Sequence, residues 1–275
     1  MKTILLSLLF IFSLSSAQTH RFIYELKINK NDDVIKTKMA LDINKSSVKF
    51  YDYEFVRRDS IRKSGKNSQY FSESDQMLLR KPNSFDNRMF FSHGYDYFVI
   101  KSTDKIDWKL EKETKNVQDY TLQKATANFG GRKWTAWFSP EIPFQEGPYK
   151  FRGLSGLIFE ISDSENIFHY TLIKSTKLSE AFDTNDFLET HYGKKPIAVS
   201  LKQYHKVKLD SYHNVIEELT DFAKKGGTIA SKEEINSAEE IRQRKKSLQE
   251  GIKEYYLPIE INNAIPYPKT QAITP

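Results

Sequence analysis

Six histidines, His20, His93, His169, His191, His205 and His213, are the residues of this chain best suited to hold a metal or move a proton. None belongs to a His-Glu-x-x-His pair. His205 and His213 are eight positions apart, which on a helix leaves them roughly 80° apart instead of stacked one turn above the other. A histidine site would need ligands drawn from separate elements, so no metal is expected. The chain has no cysteine, which removes a disulfide scaffold, an iron–sulfur cluster, a thiolate zinc site and a cysteine nucleophile. Gly153-Leu154-Ser155-Gly156 sets a serine among glycines, but a nucleophile elbow needs Gly-x-Ser-x-Gly, and here Gly156 follows the serine directly. Neither a Walker-type phosphate loop nor Gly-x-Gly-x-x-Gly occurs. Glu141 and Glu146 could form a working carboxylate pair, yet they read equally well as surface charges. No catalytic group and no cofactor are expected from these residues.

The elements behind them alternate at period two. Phe22, Tyr24, Leu26 and Ile28 are apolar at every second position, as are Met39, Leu41 and Ile43, and such alternation turns one strand face to the core. Val48, Phe50 and the Tyr51/Tyr53/Phe55 set continue the meander after a turn at Asn44–Ser47. Further strands are expected at 88–92 and 97–101 around a His93-Gly94 hairpin, and in the alternation of Ile106, Trp108 and Leu110. Others are expected from Tyr120 to Phe129 and from Lys133 to Ser139 around Gly130-Gly131, and at 157–162 and 168–175. About ten strands before residue 176 favour a sheet that curls or closes. From Val199 to Lys225 the spacing turns helical, with Gly226-Gly227 as a stop. Ser231-Lys232-Glu233-Glu234 has capping-box form and opens a second helix whose stripe of Ile235, Ala238, Ile241 and Leu248 is thin, so it should dock loosely. The prolines after residue 255 predict an extended tail.

In 275 residues, 42 Lys and Arg stand against 36 Asp and Glu, aromatics make up 13%, and Gly and Pro number 11 and 9. A chain this aromatic and this poor in Gly and Pro is neither disordered nor collagen-like. The formal charge of +6 is mild, and no element concentrates Arg and Lys with base-stacking aromatics, so nucleic acid is not an expected partner. Lys2, the apolar run Ile4–Leu14 and the small residues Ser15 and Ala17 have the form of a signal peptide cleaved after Ala17; the run is too short to span a bilayer. The expected organisation is a signal peptide at 1–17, an antiparallel β domain at 18–198, a helical segment at 199–254 and a tail at 255–275. The product would be periplasmic or secreted, with nothing that spans a membrane after cleavage.

The densest signal is Phe129-Gly-Gly-Arg-Lys-Trp-Thr-Ala-Trp-Phe-Ser-Pro-Glu-Ile-Pro143, running into Gly147-Pro-Tyr-Lys-Phe-Arg-Gly-Leu-Ser-Gly-Leu-Ile-Phe-Glu-Ile161. Trp134 and Trp137 fall on opposite strand faces. Pro140, Pro143 and Pro148 break the ladder into a rigid excursion. This block resembles the GLPGLI family of exported proteins from Bacteroidetes-type bacteria, as do Lys124-Ala125-Thr126 and, more weakly, Pro258-Ile259-Glu260. The likeness is dense over 120–161 and sparse over the rest of the chain. Ser155 stands where the family name has proline, which argues against a nucleophile there, and Leu122 stands where many relatives carry cysteine. The family brings no established activity. The resemblance implies a β-rich exported protein of the kind found alongside outer-membrane nutrient receptors.

The resulting expectation is a mainly β (α+β) chain. Its strongly bent antiparallel sheet forms a half-open barrel or bowl, with C-terminal helices packed on or beside it. Gly153, Leu154, Ser155, Gly156, Leu157 and Ile158 would form a structural turn. Arg132, Trp134 and Trp137 are candidate binding residues, because Arg and Trp recur at energetic centres of interfaces. The expected function is a noncatalytic envelope binding protein for an apolar ligand or lipidated partner. The alternatives are an accessory interaction module of an outer-membrane transporter and an unrecognised hydrolase. A partly sealed concave face predicts a pocket near one mouth.

Overall fold

A computed structural model of the chain describes residues 18–30, 33–66, 68, 70, 72, 74–94, 96–224 and 237–269. The signal-peptide reading, the Gly226-Gly227 stop and the Ser231 capping box lie outside the described residues. β1 (Thr19–Lys30), β2 (Asp33–Ile43) and β3 (Val48–Asp52) form the expected meander, followed by α1 (Glu54–Lys63). β4 (Met77–Arg80), β5 (Asp86–His93), β6 (Asp96–Thr103), β7 (Lys109–Val117), β8 (Tyr120–Phe129) and β9 (Arg132–Ser139) come next. β10 (Leu157–Asp163), β11 (Phe168–Leu178) and the short β12 (Ile197–Ala198) complete one twelve-stranded sheet. Its order is β12-β6-β5-β4-β3-β2-β1-β11-β10-β9-β8-β7, antiparallel except where β12 joins β6. β12 and β7 remain as edges, so the sheet is a bent open bowl rather than a closed barrel.

The bend has local causes. The pairing slips between Ile23 and Tyr24 of β1, between Ile158 and Glu160 of β10, and between Leu110 and Thr114 of β7. Each bulge adds residues on one strand and so curls the ladder. The Gly130-Gly131 hairpin has φ of 64° and 82° at its two turn residues, the left-handed pair that a tight right-twisting hairpin requires. Curling brings distant strands together on the inside: Tyr24, Leu41, Ile100, Ala125 and Trp134 share one buried cluster. Ile23, Tyr51, Phe90 and Tyr97 point the other way, into a second cluster. Phe55 of α1 and Phe187 of a π-helical turn (Asn185–Glu189) cover that outer face, their rings stacked with centroids 4.9 Å apart.

Two strand expectations are corrected. The Tyr51/Tyr53/Phe55 alternation ends at Asp52, whose carboxylate accepts the Glu54 N–H at 2.9 Å and starts α1. Ile106 and Trp108 lie before β7 rather than in it; Ile106 is buried and the Trp108 ring N–H donates to the Arg152 carbonyl at 2.9 Å.

The helical spacing from Val199 resolves into α2 (Leu201–His213) and α3 (Val215–Lys224), split at Asn214. Ser200 and Gln203 close a capping box on α2. α4 (Ala238–Tyr255) starts at Ser237 with Glu240 as its box partner, and it buries none of its side chains, as its thin stripe predicts. Among the described residues no helix is long and apolar enough to cross a membrane.

Candidate functional site

The inner face is roofed twice. Over one part lies the excursion 140–156, held by a buried charge network. Arg80 pairs with Glu146, which also accepts from Arg152 Nε at 3.2 Å, and Arg80 Nη1 donates to the Tyr149 carbonyl at 2.9 Å. Glu146 is therefore a buried partner of two guanidinium groups and not a surface charge. Glu141 accepts the Thr121 N–H at 2.9 Å. Removing one member of such a network strands the others in low dielectric.

Over the other part lies α2 with the tail after α4. The tail is not a free extension. Arg132 Nε and Nη2 donate to the carbonyls of Ile259 and Pro258 at 3.1 Å each, and Nη1 meets Asp163 at 3.2 Å. Glu260 takes the Tyr149 hydroxyl and sits 2.7 Å from Lys150 Nζ. The Asn262 N–H donates to the Gly130 carbonyl at 3.3 Å. A Cβ on Gly130 or Gly131 would come within 2.8 Å of Glu260 or 2.6 Å of Asn262. From α2, His205 Nε2 lies 3.1 Å from the Asn263 carbonyl.

Between this roof and the sheet is a cavity of about 830 Å³. Ile28 and Phe168 from the centre of the sheet, Met89, Phe91 and Ile100 from β5 and β6, and Leu201 from α2 supply apolar wall. Leu257, Ile259 and Ile265 supply apolar roof, and Ile35 and Tyr255, both well exposed, stand at the mouth. That volume suits a lipid-sized or drug-sized ligand.

Lys30, Lys101 and Lys150 bring three ammonium groups to the lining, and Asp52, Asp75 and Glu260 bring three carboxylates. Asp52 accepts from the Tyr70 hydroxyl at 2.7 Å; burial pushes its carboxyl up, and the Tyr70 bond opposes that. Lys150 is held by Glu260 and by Asp104 at 3.2 Å. Asp75 makes no hydrogen bond or ion pair among the described residues. Asp75 is exposed and stands among the residues that line the cavity. Desolvation by the surrounding protein raises its pKa, and Lys208 pulls in the other direction. Tyr204 is 3% exposed and its hydroxyl has no partner. Burial and then Asp75 push that phenol up, and Tyr267 is pushed to about 12 by burial, Tyr256 and Asp75.

Arg132, Trp134 and Trp137 do not line the cavity. Trp134 is fully buried under Phe151, centroids 4.4 Å apart, and its ring N–H donates to the Phe129 carbonyl. Trp137 is half-buried with Lys115 Nζ 4.6 Å from its ring centre. Arg132 acts one step away, as the clamp on the roof. Ser155 is exposed, with Gly153 at φ 98° beside it and Gly156 packed so closely that a Cβ would stand 1.9 Å from the Ser139 carbonyl oxygen. Among the described residues no three His, Asp or Glu are grouped to hold a metal ion. Sequence reasoning missed Asp75, Tyr204 and the tail's role, and only the helical spacing that contains Tyr204 hinted at any of them.

Fold and site together define an open antiparallel bowl with an apolar cavity beneath its own C-terminal segment. Residues 130–160, the stretch that seats the tail and carries Glu146 and Arg152, match the model of a family described as a protein of unknown function (Porph_ging). No curated protein matches the chain. Among solved structures, PNGF-II in a C2 space group superposes with a TM-score of 0.50 at 14% identity, over 69% of this chain and 32% of that one. In a P21 space group the score is 0.50 at 14% identity, over 70% and 33%. The chain thus spans about a third of the length of PNGF-II, and what the two share is the fold. A LolA superfamily protein from Nitrosomonas europaea overlaps with a TM-score of 0.26 at 9% identity, over 62% of this chain and 89% of that one. A score that low does not define a common fold.

Proposed function

We propose that the chain is an exported, noncatalytic envelope protein that holds an apolar ligand under its C-terminal tail. The observation that carries this reading is the cavity of about 830 Å³, walled by β5, β6 and α2 and roofed by Leu257, Ile259 and Ile265. A fold that needed only a filled core would close such a space, since protein interiors pack at crystal-like density. The Lys2–Ala17 pattern supports export, and the Gly153–Ile158 hexapeptide supports a place in the GLPGLI group. The apolar part of the wall supports binding, and Asp52 and Glu260, two of the three carboxylates, are tied to partners.

Titration of the mature protein with the neutral dye N-phenyl-1-naphthylamine tests this. Saturable binding near micromolar is expected, about −8 kcal/mol. Met89→Trp, which fills the wall, should weaken it about tenfold or more. Failure of the wild-type protein to bind the dye saturably would overturn the reading.

A further inference from the structure

Among the described residues, three large apolar side chains that stay open to solvent stand at or beside the mouth of the cavity: Val34 at 56%, Ile35 at 43% and Tyr255 at 81% exposure. β1 and β2 pair as far as Lys30 opposite Asp33, whereas the ladder between β2 and β3 ends where Met39 meets Asp52. Asp33–Thr37 therefore project past β3, and the first four residues of β2 are all exposed. Val34 and Ile35 are neighbours on one strand and point to opposite faces, so this end of the β1–β2 pair is apolar on both sides. Ile35 lies opposite Ile28, and both line the cavity, so the rim runs without a break into the wall. Tyr255, the last residue of α4, is joined to the same end by Lys30, whose Nζ lies 4.7 Å from its ring centre.

Positive charge flanks this rim. From Lys27 to Lys38 the sequence carries four lysines and two aspartates. Lys36 and Lys38 are exposed and share the face of Val34, with Lys27 opposite Lys36; Glu25, 3.4 Å from Lys27, offsets one of the three. Lys253 and Glu254, beside Tyr255, cancel. An apolar edge bordered by ammonium groups suits the boundary between headgroups and acyl chains, where lysines meet anionic lipid. A tyrosine suits it too, since its ring is amphipathic. On the reading that the cavity takes an apolar ligand, we infer that this rim docks on a membrane surface containing anionic lipid, so that the ligand passes between bilayer and cavity without crossing water.

The test sediments the mature protein with vesicles of phosphatidylcholine alone and with vesicles containing about one third phosphatidylglycerol. Binding should be about tenfold tighter to the anionic vesicles. Val34→Asp with Tyr255→Ser should weaken it about tenfold, and Lys36→Glu with Lys38→Glu should remove the preference for anionic lipid. Leu110→Ser, at an exposed apolar position on β7, should change nothing. A thermal melt shows that the variants fold, and their binding of N-phenyl-1-naphthylamine without vesicles should stay near that of the unaltered protein. No binding to either vesicle, or binding that Leu110→Ser weakens as much as the rim pair does, overturns the docking surface while saturable dye binding leaves the cavity reading intact. A dimer in ultracentrifugation that the rim pair dissolves, without vesicle binding, makes a second copy the occupant and overturns it as well. Vesicle binding without saturable dye binding would instead overturn the cavity reading.

Discussion

At the scale of single residues, the glycines of the matched block differ in what they demand. Gly156 admits no side chain, because the backbone oxygen of Ser139 occupies the place of its Cβ. Gly153 has room, with Phe85 3.5 Å away, but sits at φ 98°. Gly156→Ala should therefore cost about 2–4 kcal/mol and Gly153→Ala about 1–2. Gly251, inside α4 with nothing near it, should gain up to about 1 kcal/mol as Ala. Urea melts of the three variants check the order, and equal effects would contradict it. At Ser155 a fluorophosphonate should leave no adduct, since none of the hydrogen bonds of the described residues links it to a histidine or carboxylate.

At the scale of elements, the most consequential contact joins β9 to the tail. Arg132 bridges Asp163, Pro258 and Ile259 from a buried position. Arg132→Met leaves Asp163 without its guanidinium and frees both carbonyls, which should cost about 3–5 kcal/mol and raise amide exchange across 256–265 before the sheet exchanges. Unchanged exchange there would mean the roof is held by other contacts. Much of the sheet was legible: alternation marks β9 because the Trp134, Ala136 and Phe138 face is buried more than the other, and it marks β1 and β2 although Ile23, Ala40 and Asp42 on their second face are buried as well. α1 was not, since Tyr51, Tyr53 and Phe55 keep a strand's period while the Asp52 cap turns the chain. β4 escaped because Met77-Leu78-Leu79 is too short to alternate. Asp75 sits in a polar run, Ser72–Gln76, that reads as an ordinary loop; only the curl of the sheet places it against α2. The prolines that predicted an extended tail were informative about conformation and silent about docking.

At the scale of the whole molecule, stability is tied to neutral histidines. Burial holds the pKa of His191, His93, His169 and His20 below the usual value, with a lysine neighbour adding to it in each case. The unfolded chain takes up protons near pH 6.5 that the folded chain resists, so this stability is complete above about 6.5 and is lost as pH falls through it. The melting temperature should stay nearly level from pH 7.5 to about 6.5 and fall from there to 5.5. His191→Phe, which keeps a ring on Tyr97 (centroids 5.2 Å apart in the native pair), should flatten part of that slope; an unaltered slope would show that His191 takes no part.

The proposal places a ligand between the bowl and its tail, so the most direct measurement is one that reports position. A twelve-carbon alcohol bearing a diazirine, photolysed on the mature protein and mapped by mass spectrometry of its peptides, should label the inner wall and roof, around Met89, Phe91, Ile100, Leu257 and Ile259. Labelling confined to exposed apolar residues outside the cavity, such as Leu110 and Ile173, would contradict the account.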